Sequence, residues 1–208
     1  MTNEKKVRLR SDEELEIQNE GLIILKDTLD KIRVKYYLSS GTLLGAIREN
    51  NFIRWDWDVQ MYLLMEEAYP MRNEITKLLI ENGFIVKKLN DSNDSLKWVL
   101  LRKKVIYELT GWYLDGEWRY RKNKMMRVPS NLFENRKIIN FRGTDYFTFN
   151  SPEKYLEFCY GDWKTPKRTS NKAVYATSNH MKEYTFINNL ITFSKKIILR
   201  IKLSIFRK

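Results

Sequence analysis

Residues 39–59 constrain the fold of this chain more than any other segment. A short strand-like run at residues 36–39 leads into the small residues Ser40, Gly41 and Thr42, after which a helical pattern begins. Such a turn lets backbone amides and a hydroxyl approach a phosphate, and the N-terminus of a helix favours negative charge. The segment is therefore a candidate phosphate-binding turn, and an ordinary strand-to-helix turn without a ligand is the alternative.

The same segment ends in two aspartates, Asp56 and Asp58, which alternate with tryptophans. On a strand, side chains two residues apart point to the same face, so this spacing predicts two adjacent carboxylates. A cation relieves their repulsion, and the flanking Trp55 and Trp57 exclude water, which strengthens metal binding. The pattern predicts a divalent-metal site, and a solvated pair of aspartates is the alternative.

The single histidine, His180, and the single cysteine, Cys159, exclude several kinds of active site. Ser–His and Cys–His catalysis needs a histidine base beside the nucleophile, and His180 lies in a polar stretch where a surface position is expected. One cysteine excludes an intrachain disulfide and a cysteine-based zinc finger, fits a reducing compartment, and is expected to be a small buried apolar side chain. Acid–base and metal chemistry must therefore rest on carboxylates.

Apolar periodicity predicts an α+β fold for the 208 residues, a length that suits one domain with a sizeable core. Ser11 and Glu14 form a capping box that begins a helix reaching about Val34. Shorter patterns predict helices at 42–48 and 70–82, and strands at 36–39, 59–64, 84–89, 96–102 and 105–109, the last two as a hairpin. This order indicates a mixed sheet flanked by helices.

The chain is basic, with a formal charge of +12 from 38 Lys and Arg against 26 Asp and Glu, which favours a polyanionic partner. Residues 171–208 are predicted to form a tail with a basic amphipathic helix, either on an anionic membrane surface or packed as a terminal helix. The basic positions of that helix are Lys195, Lys196, Arg200, Lys202, Arg207 and Lys208. Because no run of ~18 apolar residues and no secretory signal is present, a cytoplasmic chain, peripheral on the inner face of the membrane, is expected.

Two separated motifs resemble the LicD family. Residues 41–48 (GTLLGAIR) and 52–56 (FIRWD) are similar to the family's GTLLGAxR followed by GFIPWDxD. Residues 150–156 (NSPEKYL) and 160–163 (YGDW), with Pro166 beyond, are similar to the family's closing pattern, a Pro-x-x-Tyr-Leu helix that runs into Tyr-Gly-Asp-aromatic. The order of the motifs matches as well, and the resemblance covers roughly residues 12–170.

The family includes bacterial phosphocholine transferases and the fukutin-related transferases of animals. The resemblance implies a polymerase-β-like nucleotidyltransferase domain at residues 1–170, in which Gly41 and Thr42 contact nucleotide phosphates while Asp56 and Asp58 hold Mg²⁺ or Mn²⁺. It also implies a transferase that moves a phosphorylated alcohol, such as phosphocholine from CDP-choline or a related CDP-linked donor, onto a surface glycan such as lipopolysaccharide, capsule or teichoic acid. Glu108 is the candidate third carboxylate, as a metal ligand or as the base that accepts the glycan's proton. A surface residue on a hairpin is the alternative for Glu108.

Basic residues supply further candidates for substrate binding. Arg48 matches the first motif, and Lys97 and Arg102 lie in the predicted hairpin. All three are candidates to neutralise the donor's diphosphate. For Lys97 and Arg102, a position on a solvated face is the alternative. Asp162 matches the closing motif, although a structural helix stop would explain it equally well. The basic residues that follow it are candidates to meet an anionic acceptor: Lys164, Lys167 and Arg168.

The sequence departs from the family pattern at Gln60, where a third aspartate is usual. An amide oxygen can bind a metal but adds no charge, so metal affinity is expected to fall. Either Asp56 and Asp58 are the active metal-binding pair with Glu108 as the third carboxylate, or the protein is a catalytically weak glycan- or nucleotide-binding protein that keeps the fold. A nucleic-acid-binding module is a third hypothesis that rests on charge alone, and because no such motif is present, no nucleic-acid partner is expected.

Overall fold

The fold begins with helix α1, Asp12–Lys31, whose start is the predicted capping box. The Ser11 hydroxyl accepts a hydrogen bond from the Glu14 amide at 3.2 Å, and the Glu14 carboxylate accepts one from the Ser11 amide at 2.8 Å. The structure is a computed structural model that describes residues 8–92, 95–121, 125–169 and 172–181. The predicted amphipathic helix of the tail lies outside these residues.

The other elements follow with short connections. The helices are α2 (Ser40–Glu49), α3 (Met65–Ala68), α4 (Arg72–Glu81), a 3-10 turn (Ser130–Phe133), α5 (Pro152–Tyr160) and α6 (Lys172–Tyr175). The strands are β1 (Tyr36–Leu38), β2 (Asp58–Leu64), β3 (Ile85–Ser92), β4 (Ser95–Arg102), β5 (Val105–Asp115), β6 (Trp118–Arg121), β7 (Met126–Pro129), β8 (Lys137–Phe141) and β9 (Thr144–Thr148).

The main sheet is mixed, which confirms the predicted α+β class. Its order is β1-β2-β5-β4-β3, with β6 paired to the far end of β5 and β7 paired to β6. Strands β2 and β5 run parallel, whereas the other neighbours in the sheet are antiparallel. The parallel register sets Asp58 opposite Ile106 and Gln60 opposite Glu108, so the polar residues of both strands share one face.

Helices α1 and α4 cover the opposite face of the sheet. Leu22, Leu25 and Leu29 of α1 are fully buried there, in one apolar cluster with Val59. Gly21 allows the close approach, because a Cβ at this position would overlap the Tyr107 hydroxyl, which donates a hydrogen bond to the Ile17 carbonyl at 2.9 Å. The helices thus leave the polar face of the sheet open.

A second apolar cluster joins α2 and α5 to the end of the sheet. Tyr37, Tyr62, Trp112 and Phe149 are buried in it, and the Phe149 ring stacks on Tyr155 with 3.8 Å between centroids. This cluster brings the two sequence motifs together, since α2 carries the first and α5 the second. Cys159 also lies here as a buried thiol, as expected, and burial raises its pKa.

The expected surface position of His180 is wrong, because its side chain is buried. The ring stacks on Trp112 with 6.1 Å between centroids, and its Nδ1 forms a hydrogen bond with the Arg127 carbonyl at 2.9 Å. The backbone amide of Arg127 in turn donates to the His180 carbonyl at 3.0 Å. Pairing with β7 therefore buries a histidine whose sequence neighbours are polar.

Most predicted elements agree with the structure apart from their ends. Helix α4 begins at Arg72, after Pro70 rather than with it, and β5 extends to Asp115 instead of ending at Leu109. The longer β5 supports the β6–β7 hairpin, which the sequence analysis did not predict. Within the described ranges, no helix combines the length and the apolar character that a membrane crossing requires.

Candidate active site

The loop that follows α2 brings Asp56 against Asp58 at the start of β2. The strand begins only at Asp58, so the prediction that both aspartates lie on one strand is wrong. A turn closed by the Asp56 amide and the Ile53 carbonyl, at 2.9 Å, places Asp56 instead. The two carboxyl groups are nevertheless hydrogen-bonded to each other. The predicted pair therefore forms by a different backbone path.

Protein surrounds the Asp56 carboxyl on most sides, although the side chain keeps some contact with solvent. Burial raises its pKa well above the ordinary value, and the charge of Asp58 and the hydrogen bond between the two raise it further. The backbone amide of Trp57 and the charge of Arg10 act in the opposite direction. A divalent cation between the two carboxylates would relieve the repulsion that raises the Asp56 pKa, so this donor pair fits Mg²⁺ or Mn²⁺.

Gly41, at the start of α2, lies directly against this pair. A Cβ at Gly41 would overlap the Asp56 carboxylate, so no other residue leaves room for the carboxylate in this position. The Gly41 amide donates to the Gln60 side-chain oxygen at 3.3 Å. Gln60 thus caps the first turn of α2, at the place where the sequence analysis expected a nucleotide phosphate.

The other two residues of the predicted phosphate turn are held by the protein itself. Ser40 has a positive φ of 52°, its hydroxyl bonds to the Tyr62 hydroxyl at 2.8 Å, and its amide donates to the Tyr155 hydroxyl at 3.3 Å. The Thr42 hydroxyl accepts from the Gln60 amide at 2.9 Å and is buried. Ser40 and Gly41 line a cavity that also contains the Asp56–Asp58 pair in its wall, whereas Thr42 does not line it.

Glu108 lies beside Gln60 in the register of β2 and β5, but its carboxylate is ion-paired with Lys97 at 2.6 Å. Burial lowers the pKa of Lys97, Glu108 opposes this effect, and Arg121 adds to it. In the part of the chain that the structure describes, no group of three or more His, Cys, Asp or Glu residues is arranged to hold a metal. A role for Glu108 as the third ligand stays a prediction, and it requires the Lys97 pair to open.

This cavity has a volume of about 420 Å³, and its lining includes Gly41, Asp56, Asp58, Lys97 and Glu108. Arg48 lies in its wall and donates to the Trp163 carbonyl at 3.2 Å, so it connects the two sequence motifs and also pairs with Glu49. Aromatic side chains supply much of the wall: Trp55, Trp57, Tyr160, Trp163 and Tyr175. The last three come from the closing motif and α6, and their contribution was not predicted.

The remaining candidates divide between the cavity and its surroundings. Asp162 and Lys167 line the cavity, whereas Lys164 and Arg168 do not; the Lys164 ammonium lies 5.7 Å from the centre of the Trp163 ring. The Asp162 carboxylate accepts from the Thr165 side chain and amide, which lowers its pKa, as a residue that stabilises a turn would. Arg102 is outside the cavity and pairs with Glu20 at 3.5 Å.

Arg10 is an unpredicted member of the site. Its guanidinium donates to the Asp56 carbonyl at 3.0 Å and the Trp57 carbonyl at 2.6 Å, and it stacks over the Trp57 ring at 4.6 Å. The side chain is almost fully buried. No sequence signal distinguishes it from the other charged residues near the N-terminus, because its partners lie far along the chain.

Comparison with known proteins identifies the domain. Residues 33–168 match the family described as LicD/FKTN/FKRP, nucleotidyltransferase domain. A comparison with curated proteins gives no match.

Among solved structures, the solution structure of the antibiotic-resistance factor ANT(2'')-Ia is similar in fold. It has a TM-score of 0.51 and 13% identity, with 77% of this chain and 80% of that chain covered. The terminal uridylyl transferase Cid1 is a weaker match, with a TM-score of 0.39 and 12% identity over 78% of this chain and 63% of that chain. The family match and the likeness to ANT(2'')-Ia together show a nucleotidyltransferase fold. The chain belongs to the LicD family and is a transferase of phosphate-linked groups.

Proposed function

We propose that this protein transfers a phosphorylated alcohol from a CDP-linked donor, with phosphocholine the first candidate, to a hydroxyl of a surface glycan such as lipopolysaccharide, capsule or teichoic acid. The observation that carries the proposal is the Asp56–Asp58 pair, which packs against Gly41 in the wall of the 420 Å³ cavity. In the reaction, the glycan oxygen attacks the phosphorus of the transferred group, the bond from that phosphorus to CMP breaks, and the hydroxyl proton passes to a carboxylate.

The site would use Mg²⁺ or Mn²⁺ held by Asp56 and Asp58, which would neutralise charge on the phosphate oxygens. Glu108 is the proposed proton acceptor, because it lies on the same open face of the sheet as the metal-binding pair. The ion pair with Lys97 would hold that carboxylate in place until substrate arrives. Arg48 lines the cavity wall and would pair with the donor's diphosphate.

The aromatic wall supports choline as the alcohol. Trp57 is partly exposed, and Tyr160, Trp163 and Tyr175 line the same cavity. A quaternary ammonium gains favourable cation–π contacts from such a set of rings. Arg10 already lies over Trp57 and Lys164 near Trp163, so a neutral alcohol would leave Tyr160 and Tyr175 as the rings without a matching charge.

The second candidate function is nucleotide or glycan binding with little turnover. It is favoured by the absence of a third free carboxylate at Gln60 and Glu108. Gln60 adds no charge and binds the Gly41 amide, and Glu108 binds Lys97. If those contacts persist with substrate bound, the metal has only two carboxylate ligands. The same cavity would then bind a donor without efficient transfer.

Release of CMP tests the proposal. The full chain is incubated with CDP-choline and other CDP-alcohols in the presence of Mn²⁺ or Mg²⁺, and free CMP is measured with and without a glycan acceptor. We expect release from at least one donor and its loss in Asp58→Ala. Asp145→Asn, an exposed change elsewhere, is the matched control.

Two outcomes separate the alternatives. Release that survives Asp58→Ala contradicts the proposed mechanism. Metal-dependent binding of a CDP-alcohol without release from any donor favours the binding protein instead.

A further inference from the structure

A second cavity, of about 190 Å³, opens on the same face of the sheet and has no role in the transfer described above. Its polar lining comes from strands β3 to β6: Lys88, Asn90, Ser95, Lys97, Thr110 and Arg121. Lys97 and Arg121 also line the larger cavity, so the two spaces share a wall. Neither Asp56 nor Gly41 contributes to the second cavity.

Strand register explains how the polar lining assembles. Asn90 of β3 is opposite Lys97 of β4, and Lys97 is opposite Thr110 of β5, so the three form a row across the sheet. The neighbouring row runs from Gln60 through Glu108 and Val99 to Lys88. The second cavity is therefore a continuation of the active-site face toward the edge strand β3.

The charges of this lining favour an anion. Three basic residues line one small space, and the described part of its lining includes no carboxylate. Lys97 is paired with Glu108, whereas Lys88 and Arg121 form no ion pair with any residue that the structure describes. Like charges that line one small space repel one another, and an anion between them would relieve this repulsion. Ser95, Thr110 and Asn90 add neutral groups that can donate hydrogen bonds.

We propose that the second cavity binds a phosphate group carried by the acceptor glycan, next to the hydroxyl that receives the transferred group. The volume of about 190 Å³ suits a phosphate better than a nucleotide, and because Asp56, Asp58 and Gly41 line only the larger cavity, the donor is assigned to that cavity. This inference rests on the proposed transfer, because it assigns the anion to the acceptor. The protein thereby selects acceptors that already carry negative charge.

Binding of a phosphorylated sugar tests this subsite. Glucose 6-phosphate and glucose are titrated calorimetrically into the full chain, with Mn²⁺ and saturating CDP present to fill the donor site. We expect glucose 6-phosphate to bind in the presence of CDP, more tightly than glucose, and less tightly as salt is added. Lys88→Ala should weaken this binding about threefold, and Arg121→Gln about tenfold, because Arg121 is less exposed.

Lys87→Ala is the matched control, since Lys87 is the exposed neighbour of Lys88 and lines neither cavity. An equal effect of the two lysine variants would overturn the proposal, because general charge would then explain the binding. Displacement of glucose 6-phosphate by CDP, or no binding at all, would overturn it as well. CMP release is measured separately: release without glucose 6-phosphate binding removes only the subsite, whereas binding without release removes only the proposed transfer.

Discussion

The Asp56 carboxyl retains its proton to higher pH than an ordinary aspartate, because burial and the neighbouring Asp58 raise its pKa. The folded state therefore binds this proton more tightly than the unfolded chain does. Stability contributed in this way is present at low pH and is lost as the pH rises from the unfolded pKa of the group through its raised folded pKa.

Asp56→Asn should accordingly stabilise the metal-free protein at neutral and higher pH. We expect its free energy of unfolding to rise by on the order of 1 kcal/mol at about pH 8 and by less at about pH 4.5, while CMP release is lost. Urea unfolding at both pH values measures the change, with Asp145→Asn as the exposed control. An Asn variant less stable than the parent at the higher pH would contradict the assigned pKa direction.

Gln60 determines how much charge the site offers to a metal. Gln60→Asp would break the contact with the Gly41 amide and add a carboxylate between Asp58 and Glu108. We expect Mn²⁺ affinity to rise by on the order of tenfold and metal-free stability to fall, since a third charge strengthens both attraction and repulsion. Electron paramagnetic resonance titration of Mn²⁺ measures the affinity.

Gln60→Asn, which has the same length as Gln60→Asp but no charge, is the control for that change. If the two variants bind Mn²⁺ equally, position 60 does not face the metal. Loss of CMP release in both variants would instead show that the contact of Gln60 with the Gly41 amide is the important role.

At the scale of elements, the segment of residues 8–11 fastens the loop of residues 53–57. Arg10 bonds the Asp56 and Trp57 carbonyls, the Arg10 amide donates to the Arg54 carbonyl at 2.8 Å, and Arg54 returns a bond to the Arg10 carbonyl at 2.9 Å. The matched family domain begins at residue 33, so this support comes from outside it. The loop that carries Asp56 thus depends on a segment which the family comparison does not include.

Arg10→Met keeps much of the side chain's volume but removes these donors. We expect it to lower the free energy of unfolding by about 2 kcal/mol and to weaken Mn²⁺ binding, because two carbonyls lose their partner and the loop is released. Arg8→Met is the control, since the Arg8 guanidinium also lies over the Trp57 ring, at 5.3 Å, but donates its hydrogen bonds to Glu14 and not to the loop carbonyls. Equal effects on Mn²⁺ binding would contradict a specific role for Arg10 in the loop.

Sequence patterns predicted the helices and strands well where neighbouring residues alone determine the element. The capping box at Ser11 and the apolar spacing of α1 needed no tertiary information. Helix α2 begins earlier than predicted because the positive φ of Ser40 is held by Tyr62 and Tyr155, which are distant in sequence. The β6–β7 hairpin was missed for a related reason, as it pairs with an extension of β5.

In the candidate site, too, features set by neighbouring residues were predictable and features set by distant residues were not. The Asp56–Asp58 contact and the cavity position of Gly41 could be predicted from the motif. The Lys97–Glu108 pair, the Gln60 cap and the Arg10 contacts could not, because each depends on strand register or on loop packing between distant residues. These contacts would decide how much charge the site offers to a bound metal, so the activity is harder to predict than the family.

At the scale of the whole molecule, the net charge of +12 favours an anionic surface, and the predicted tail helix concentrates basic residues at one end. We expect the full chain to pellet with anionic vesicles and to be released by salt. Substitution of four tail residues by Gln should weaken this binding by about 1 kcal/mol per charge. The four are Lys195, Lys196, Arg200 and Lys202.

A control with the same net charge uses four basic residues elsewhere on the described surface, each changed to Gln: Lys77, Lys104, Lys137 and Lys154. Vesicle sedimentation compares the two quadruple variants. If both bind alike, the tail has no specific role in membrane binding, and total charge accounts for the association.

The contact between Gly41 and Asp56 has a consequence for how this sequence can evolve. A side chain at position 41 would take the volume that the carboxylate occupies, so the two positions cannot change independently. In a library randomised at both sites and selected for Mn²⁺ binding, survivors should retain glycine at 41 wherever aspartate remains at 56. The glycine of the motif then records the location of a carboxylate.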